Sequence, residues 1–176
     1  NTGWGIISNF ENKLQHIDHG VIVPITEGSD ASRLFFISSH LDKILNIYKP
    51  SLAVIEKIFV SASGESALKL GMARGVALNV IASKKNIIIK ELAARFVKKA
   101  ITGSGAADKN QIKFMIEKLL GKRVDKFDAS DALAIAIAGS NSSNKKLNPN
   151  NMIAQSQKKN VNSNLLNAIN RALNKS

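Results

Sequence analysis

The chain reads as an α/β domain built on a mixed sheet, and three observations predict it. Two short apolar runs rich in β-branched residues, SLAVIEKIFV (51–60) and NIIIK (86–90), have the length and content of strands buried on both faces. Helical patterns lie between and after them. Ahead of both stand two strand-like stretches joined by a polar turn. The order is therefore strand, strand, helix, strand, helix, strand, then helices.

Residues 3–8 and 13–23 (KLQHIDHGVIV) form the opening pair, with Asn9-Phe10-Glu11-Asn12 as the hairpin turn. PITEGSD is a loop. Asp30 or Ser32 caps a helix that runs to about Tyr48, with Leu34, Phe35, Ile37, Leu41, Ile44, Leu45 and Ile47 as its apolar set. Lys49-Pro50 ends it, because proline disfavours helix in the residue before it. The strand 51–60 follows, then a helix from Ser66 to about Ser83, then the strand 86–90. Helices at about 92–102, 107–120 and 128–139 complete the domain. From Ser140 to Ser176 there are 11 Asn, six Lys or Arg and no acid, which reads as a basic, largely disordered tail. Within it, 164–173 could form a short helix.

Of the 176 residues, 44% are hydrophobic, enough to bury a core in one domain of common size. Cysteine is absent, which excludes disulfides and thiolate metal sites and is compatible with the cytoplasm. No apolar run approaches the roughly 18 residues of a membrane span. The net charge of +12 points to a polyanionic partner, most often nucleic acid.

Against that basic background two sets of acids are out of place. Glu56 sits in the most apolar strand, and alternation puts it on one face with Leu52, Val54, Ile58 and Val60. An ionised carboxylate there costs several kcal/mol unless it is paired or bound to a metal. The alternative is that the strand is already leaving the sheet and Glu56 is solvated. In FDASDALAIAIAG, Asp128 and Asp131 open a helix that is apolar nearly all round, three residues apart on one face. Helix capping accounts for Asp128 but less well for a second like charge entering a buried helix. A strand carboxylate and a D-x-x-D pair make an all-oxygen ligand set that suits Mg²⁺ or Mn²⁺. Two such ions can activate a water and stabilise the leaving oxygen of a phosphodiester. Acids at the centre of a basic surface are the pattern of a nuclease.

Other chemistry is set aside. His16, His19 and His40 have no acid at zinc-like spacing and read as structural. Gly103-Ser104-Gly105 is a weak dinucleotide-loop match that could still offer backbone N–H groups to a phosphate at the next helix start. There is no Walker A motif. Residues 95–123 hold eight Lys or Arg against Asp108 and Glu117, the best backbone-binding surface in the chain. Lys98 and Lys109, flanking the glycine loop, are the preferred phosphate contacts. Phe59, at the end of the acid-bearing strand, could stack on an unpaired base. Gly71 and Gly75 give the helix at 66–83 a small-residue face for close packing or a two-fold contact.

Together TGWGII, ASRL, IEKIF, SALKLGMARGVAL, AARFVKKAITGSGAADKNQI and DASDALAIAIA resemble, in order and at near-family spacing, the RuvC family of Holliday junction resolvases. The resemblance covers roughly residues 1–139. It implies an RNase H-like fold with a mixed five-stranded sheet flanked by helices, a homodimer, and symmetric Mg²⁺-dependent nicking of four-way DNA junctions. It implies Glu56, Asp128 and Asp131 as catalytic, metal-holding acids. Phe59, Lys98 and Lys109 match DNA-contacting positions, the glycine-bearing helix matches the dimer helix, and the RuvA–RuvB branch-migration complex would be the partner.

The family's first strand, reading roughly I-x-G-I-D-P-G-L, has no counterpart here. The resemblance places it and a fourth catalytic Asp ahead of Asn1, so a polypeptide limited to these residues is expected to be inactive or nearly so. Ser63 stands where the family usually has Asn, and Met72 where Gln is usual. Two rivals remain: a junction-binding product that never cuts, and another RNase H-like nuclease with different branched or RNA-containing substrates.

Overall fold

The computed structural model describes residues 1–11, 13–25, 28–57 and 64–144. Phe59, Ser63, the last three residues (58–60) of the expected strand 51–60, and residues 145–176 of the expected tail lie outside them. Contacts divide the chain into Asn1–Ser140 and Asn141–Ser176; the first unit carries every strand and every described site residue.

β1 (Thr2–Phe10) and β2 (Lys13–Ile22) form an antiparallel hairpin. Its ladder pairs Ile6 with Asp18 and Ile7 with His16, so Ile17 is left as a bulge. α1 (Asp30–Tyr48) starts from neither of the expected caps. Ser29 is the cap, its hydroxyl accepting from the Ser32 N–H at 3.2 Å. At the other end Lys49 takes a left-handed conformation, φ 44°, and donates its N–H to the Leu45 carbonyl at 3.0 Å before Pro50 stops the helix. Ile37 and Leu45 are buried, whereas Phe35 and Ile47 of the expected apolar set face solvent.

β3 (Leu52–Lys57) and β4 (Ile88–Ala93) pair in parallel, from Leu52 opposite Ile88 to Lys57 opposite Ala93. α2 (Gly64–Ala82) makes the crossover. β4 lies later than the sequence pattern places it. The Ile88 N–H donates to the Ser51 carbonyl at 2.9 Å, and that register carries pairing through Glu91-Leu92-Ala93. Neither strand is fully buried: β3 is half-buried until Glu56 and Lys57 emerge, and Ile88 is 64% exposed. Among the described residues the four strands form two separate two-stranded ladders, one antiparallel and one parallel. The resemblance implies a single sheet of five.

α3 (Ala94–Thr102), α4 (Lys109–Leu120) and α5 (Phe127–Asn144) supply the core. Val97 and Ile101, Ile112 and Ile116, and Ala129, Leu133, Ala134, Ile137 and Ala138 pack together, with Ile7, Leu14, Val21 and Leu92 of the strands against them. α5 is the buried helix its composition predicts. It runs on past residue 139, because Gly139 does not act as a stop: its missing Cβ leaves room for Val54, which a side chain would overlap.

Candidate active site

Four elements bring the charged side chains together. Glu56 is the penultimate residue of β3, where the strand leaves the half-buried layer. It is exposed, as the solvated alternative requires, but not free of the protein. Burial is the first cause that pushes its pKa above the ordinary carboxylate value, and the charge of Asp131 is the second; Lys109 and then Lys98 oppose them. Asp131 behaves alike. Burial raises its pKa first, Lys109 opposes, Asp128 adds repulsion, and Lys98 opposes again. Glu56 and Asp131 therefore lie in one another's reach and share Lys98 and Lys109, with Asp128 acting on Asp131, although Glu56 and Asp131 are 75 positions apart in sequence.

The approach to α5 fixes the helix pair. The Glu117 carboxylate accepts the Val124 N–H at 2.9 Å, and Lys113 Nζ donates to the Asp125 carbonyl at 3.3 Å while sitting 5.4 Å from the Phe127 ring centre. Val124 is fully buried. α5 then begins one residue before Asp128, so Asp128 is not its cap; it lies in the first turn, where the positive helix end favours a carboxylate. Ser130, between the two acids, is 1% exposed, which seats this turn in the core. Asp128 and Asp131 stay half-buried at its edge. Gly3 of β1 abuts this turn, and a Cβ there would overlap the Asp128 carbonyl.

Lys98, half-buried on α3, and Lys109, exposed as the first residue of α4, flank the glycine loop as expected. The loop itself is folded on the protein. Thr102 Oγ1 accepts the Ser104 N–H at 3.2 Å, and Gly103 closes α3 at φ 80°. The proposed phosphate cradle at the start of α4 is not available. Asp108 caps that helix, accepting the Gln111 N–H at 2.9 Å, while Gln111 accepts the Asp108 N–H at 3.0 Å. The carboxylate already holds the place of an anion.

Carboxylate oxygens that repel one another while partly desolvated are suited to a hard divalent cation, so the donor set fits such an ion. Among the described residues, no three His, Cys, Asp or Glu side chains stand close enough to share one. One pairing went unseen in the sequence. The bulge at Ile17 turns His16 and His19 to the same face, where His16 Nε2 and His19 Nδ1 are 2.7 Å apart. No helix of the described residues is long and apolar enough to cross a membrane.

The family model for crossover junction endodeoxyribonuclease RuvC matches residues 1–139. The protein of that name from Caulobacter sp. (strain K31) is 41% identical over 143 residues, 80% of this chain and 83% of its own. That from Hyphomonas neptunium is 43% identical over 137 residues, 77% of this chain and 81% of its own. Among solved structures, Thermus thermophilus RuvC in complex with Holliday junction substrate aligns with a TM-score of 0.73 at 23% identity, covering 80% of this chain and 87% of that one. A second Thermus thermophilus RuvC structure gives 0.72 at 22% identity, covering 81% and 89%.

Proposed function

The chain belongs to the crossover junction endodeoxyribonuclease RuvC family, with its RNase H-like α/β fold, and from that premise we propose that Glu56, Asp128 and Asp131 are its catalytic acids. The protein is a nuclease, a hydrolase of DNA phosphodiester bonds, and its function is resolution of Holliday junctions. The observation that carries the residue assignment is the electrostatic coupling of Asp131 on α5 to Glu56 on β3, Asp128 on α5, Lys98 on α3 and Lys109 on α4.

The family is divalent-metal dependent. The metal here is Mg²⁺, with Mn²⁺ able to replace it, because the donors are all carboxylate oxygen. When bound, the ion supplies activation of the attacking water and neutralisation of charge at the scissile phosphate. Glu56, Asp128 and Asp131 would hold it once drawn closer together than they stand among the described residues. Lys98 and Lys109 place the DNA backbone against the acids, and Phe59, outside the described residues, stacks on a base at the junction. The protein works as a homodimer through α2: Gly71 and Gly75 are exposed and a Cβ at either would meet nothing within 4 Å, so a second copy can approach closely. The resemblance adds the RuvA–RuvB complex as partner, and the cysteine-free composition is compatible with the cytoplasm as location.

The test is cleavage of a synthetic four-way junction by Asp128→Asn and Glu56→Gln in a polypeptide that also carries the family's first strand. Each should lower the single-turnover rate by roughly 10²–10⁴-fold, the cost of losing several kcal/mol of charge stabilisation, while junction affinity stays near wild type. Full activity in either variant rejects the assignment.

A further inference from the structure

We infer that Arg74 of α2 is a positioning residue for Glu56. This rests on the reading of Glu56 as a catalytic acid. Among the described residues the ladder between β3 and β4 runs to Lys57 opposite Ala93, one residue beyond Glu56. The aim of the Glu56 carboxylate depends on how its backbone is held, and Arg74 holds that backbone. Its Nε donates to the Glu56 carbonyl at 3.3 Å, and its terminal nitrogen pairs with the Glu91 carboxylate. Glu91 stands on β4 opposite Ile55, and the next residue, Leu92, stands opposite Glu56. One guanidinium from the crossover helix thus grips both strands at the level of the acid.

Only arginine has this geometry. Its planar fork presents several N–H donors in fixed directions, whereas lysine is a point charge on a flexible stem. The Arg74 side chain is 23% exposed, and Nε and one terminal nitrogen are engaged by the two strands. That engagement separates Arg74 from a phosphate-binding arginine, which would present its fork outward. α2 also carries Gly71 and Gly75, so the same helix that offers the two-fold contact holds the acid-bearing strand end.

The experiment compares Arg74→Ala, Arg74→Lys, Glu91→Gln and Glu56→Gln on a four-way junction under single-turnover conditions. Arg74→Ala and Arg74→Lys should each lower the cleavage rate by roughly 10–100-fold, the range for removing outer-sphere partners of metal ligands. Junction affinity and its salt dependence should stay within about twofold of wild type. The Mn²⁺ concentration that half-maximally raises the melting temperature should increase in both variants, a readout independent of cleavage. Glu91→Gln, which keeps the acceptor and loses the charge, should fall between, and it decides the matter with Arg74→Lys if Arg74→Ala does not fold. The inference is overturned if Arg74→Lys restores the full rate, since charge alone would then suffice. It is also overturned if either Arg74 variant weakens junction binding with a shallower salt slope, the mark of a phosphate contact, or if cooling returns the rate to wild type. An active Glu56→Gln would reject the underlying site, whereas an inactive Glu56→Gln beside unaffected Arg74 variants rejects this inference alone.

Discussion

Glu56 and Asp131 store a conflict at the scale of single residues. In the metal-free protein, burial pushes both carboxyls above the ordinary carboxylate range, and the Asp131 charge adds to the effect on Glu56. A carboxyl whose pKa is raised by folding holds its proton more tightly in the native state. The stability tied to it is complete below the ordinary pKa and is lost as pH rises through the raised value. At neutral pH the two acids therefore destabilise the metal-free fold. Asp131→Asn should raise the melting temperature at pH 7 in a chelator, and the gain should vanish near pH 3, where the wild-type carboxyl is protonated too. A melting temperature that falls at pH 7 would contradict this. Asp18 has the opposite sign. The Tyr48 hydroxyl is the main cause holding its pKa below the ordinary value, so its contribution is present above that value and is lost as pH falls through the lowered one.

At the scale of elements, legibility followed burial. α5 was plain in the sequence because Ala129, Leu133, Ala134, Ile137 and Ala138 leave it almost no polar face after Asp131, and a helix so built must be buried. β4 was misplaced because its limits come from the β3 register, which carries pairing through Glu91, a residue with no strand preference of its own. The His16–His19 pair was illegible for a related reason. Strict alternation puts residues three apart on opposite faces, and only the bulge at Ile17 reverses that. The acids themselves stood out as charges in apolar surroundings, while Arg74 looked like any helical arginine because its partners lie on β3 and β4. Caps show the same limit. Ser29 caps α1 where Asp30 and Ser32 were equally good letters, and Lys49 ends the helix at φ 44°. A non-glycine residue is strained there, so Lys49→Gly should stabilise the protein by about 0.5–1 kcal/mol in denaturant melts. A loss of stability would show that lysine contacts outweigh the backbone strain.

At the scale of the whole molecule, a chain of net charge +12 carries an acidic pair on α5 and a third acid on β3. The two terms act on different steps. Lysines draw the junction in by releasing counterions from its phosphates, so affinity falls steeply with salt whatever the sequence bound. If the proposed assignment holds, the acids oppose that attraction until a cation offsets them. Lys98 and Lys109 are the two lysines that reach Glu56 and Asp131 electrostatically, and the proposal makes them the phosphate contacts. Replacing both by alanine should weaken junction binding uniformly across sequences and make the slope of log affinity against log salt shallower by about two, one phosphate contact for each lysine. Asp131→Asn should act in the opposite direction, tightening metal-free binding most at low salt, where the Debye length reaches across the site. Fluorescence anisotropy of a labelled junction over a salt series measures both. An unchanged slope in the double lysine variant would remove Lys98 and Lys109 from the DNA path. Unchanged metal-free affinity in Asp131→Asn would mean the junction backbone never comes close to the acids without the ion.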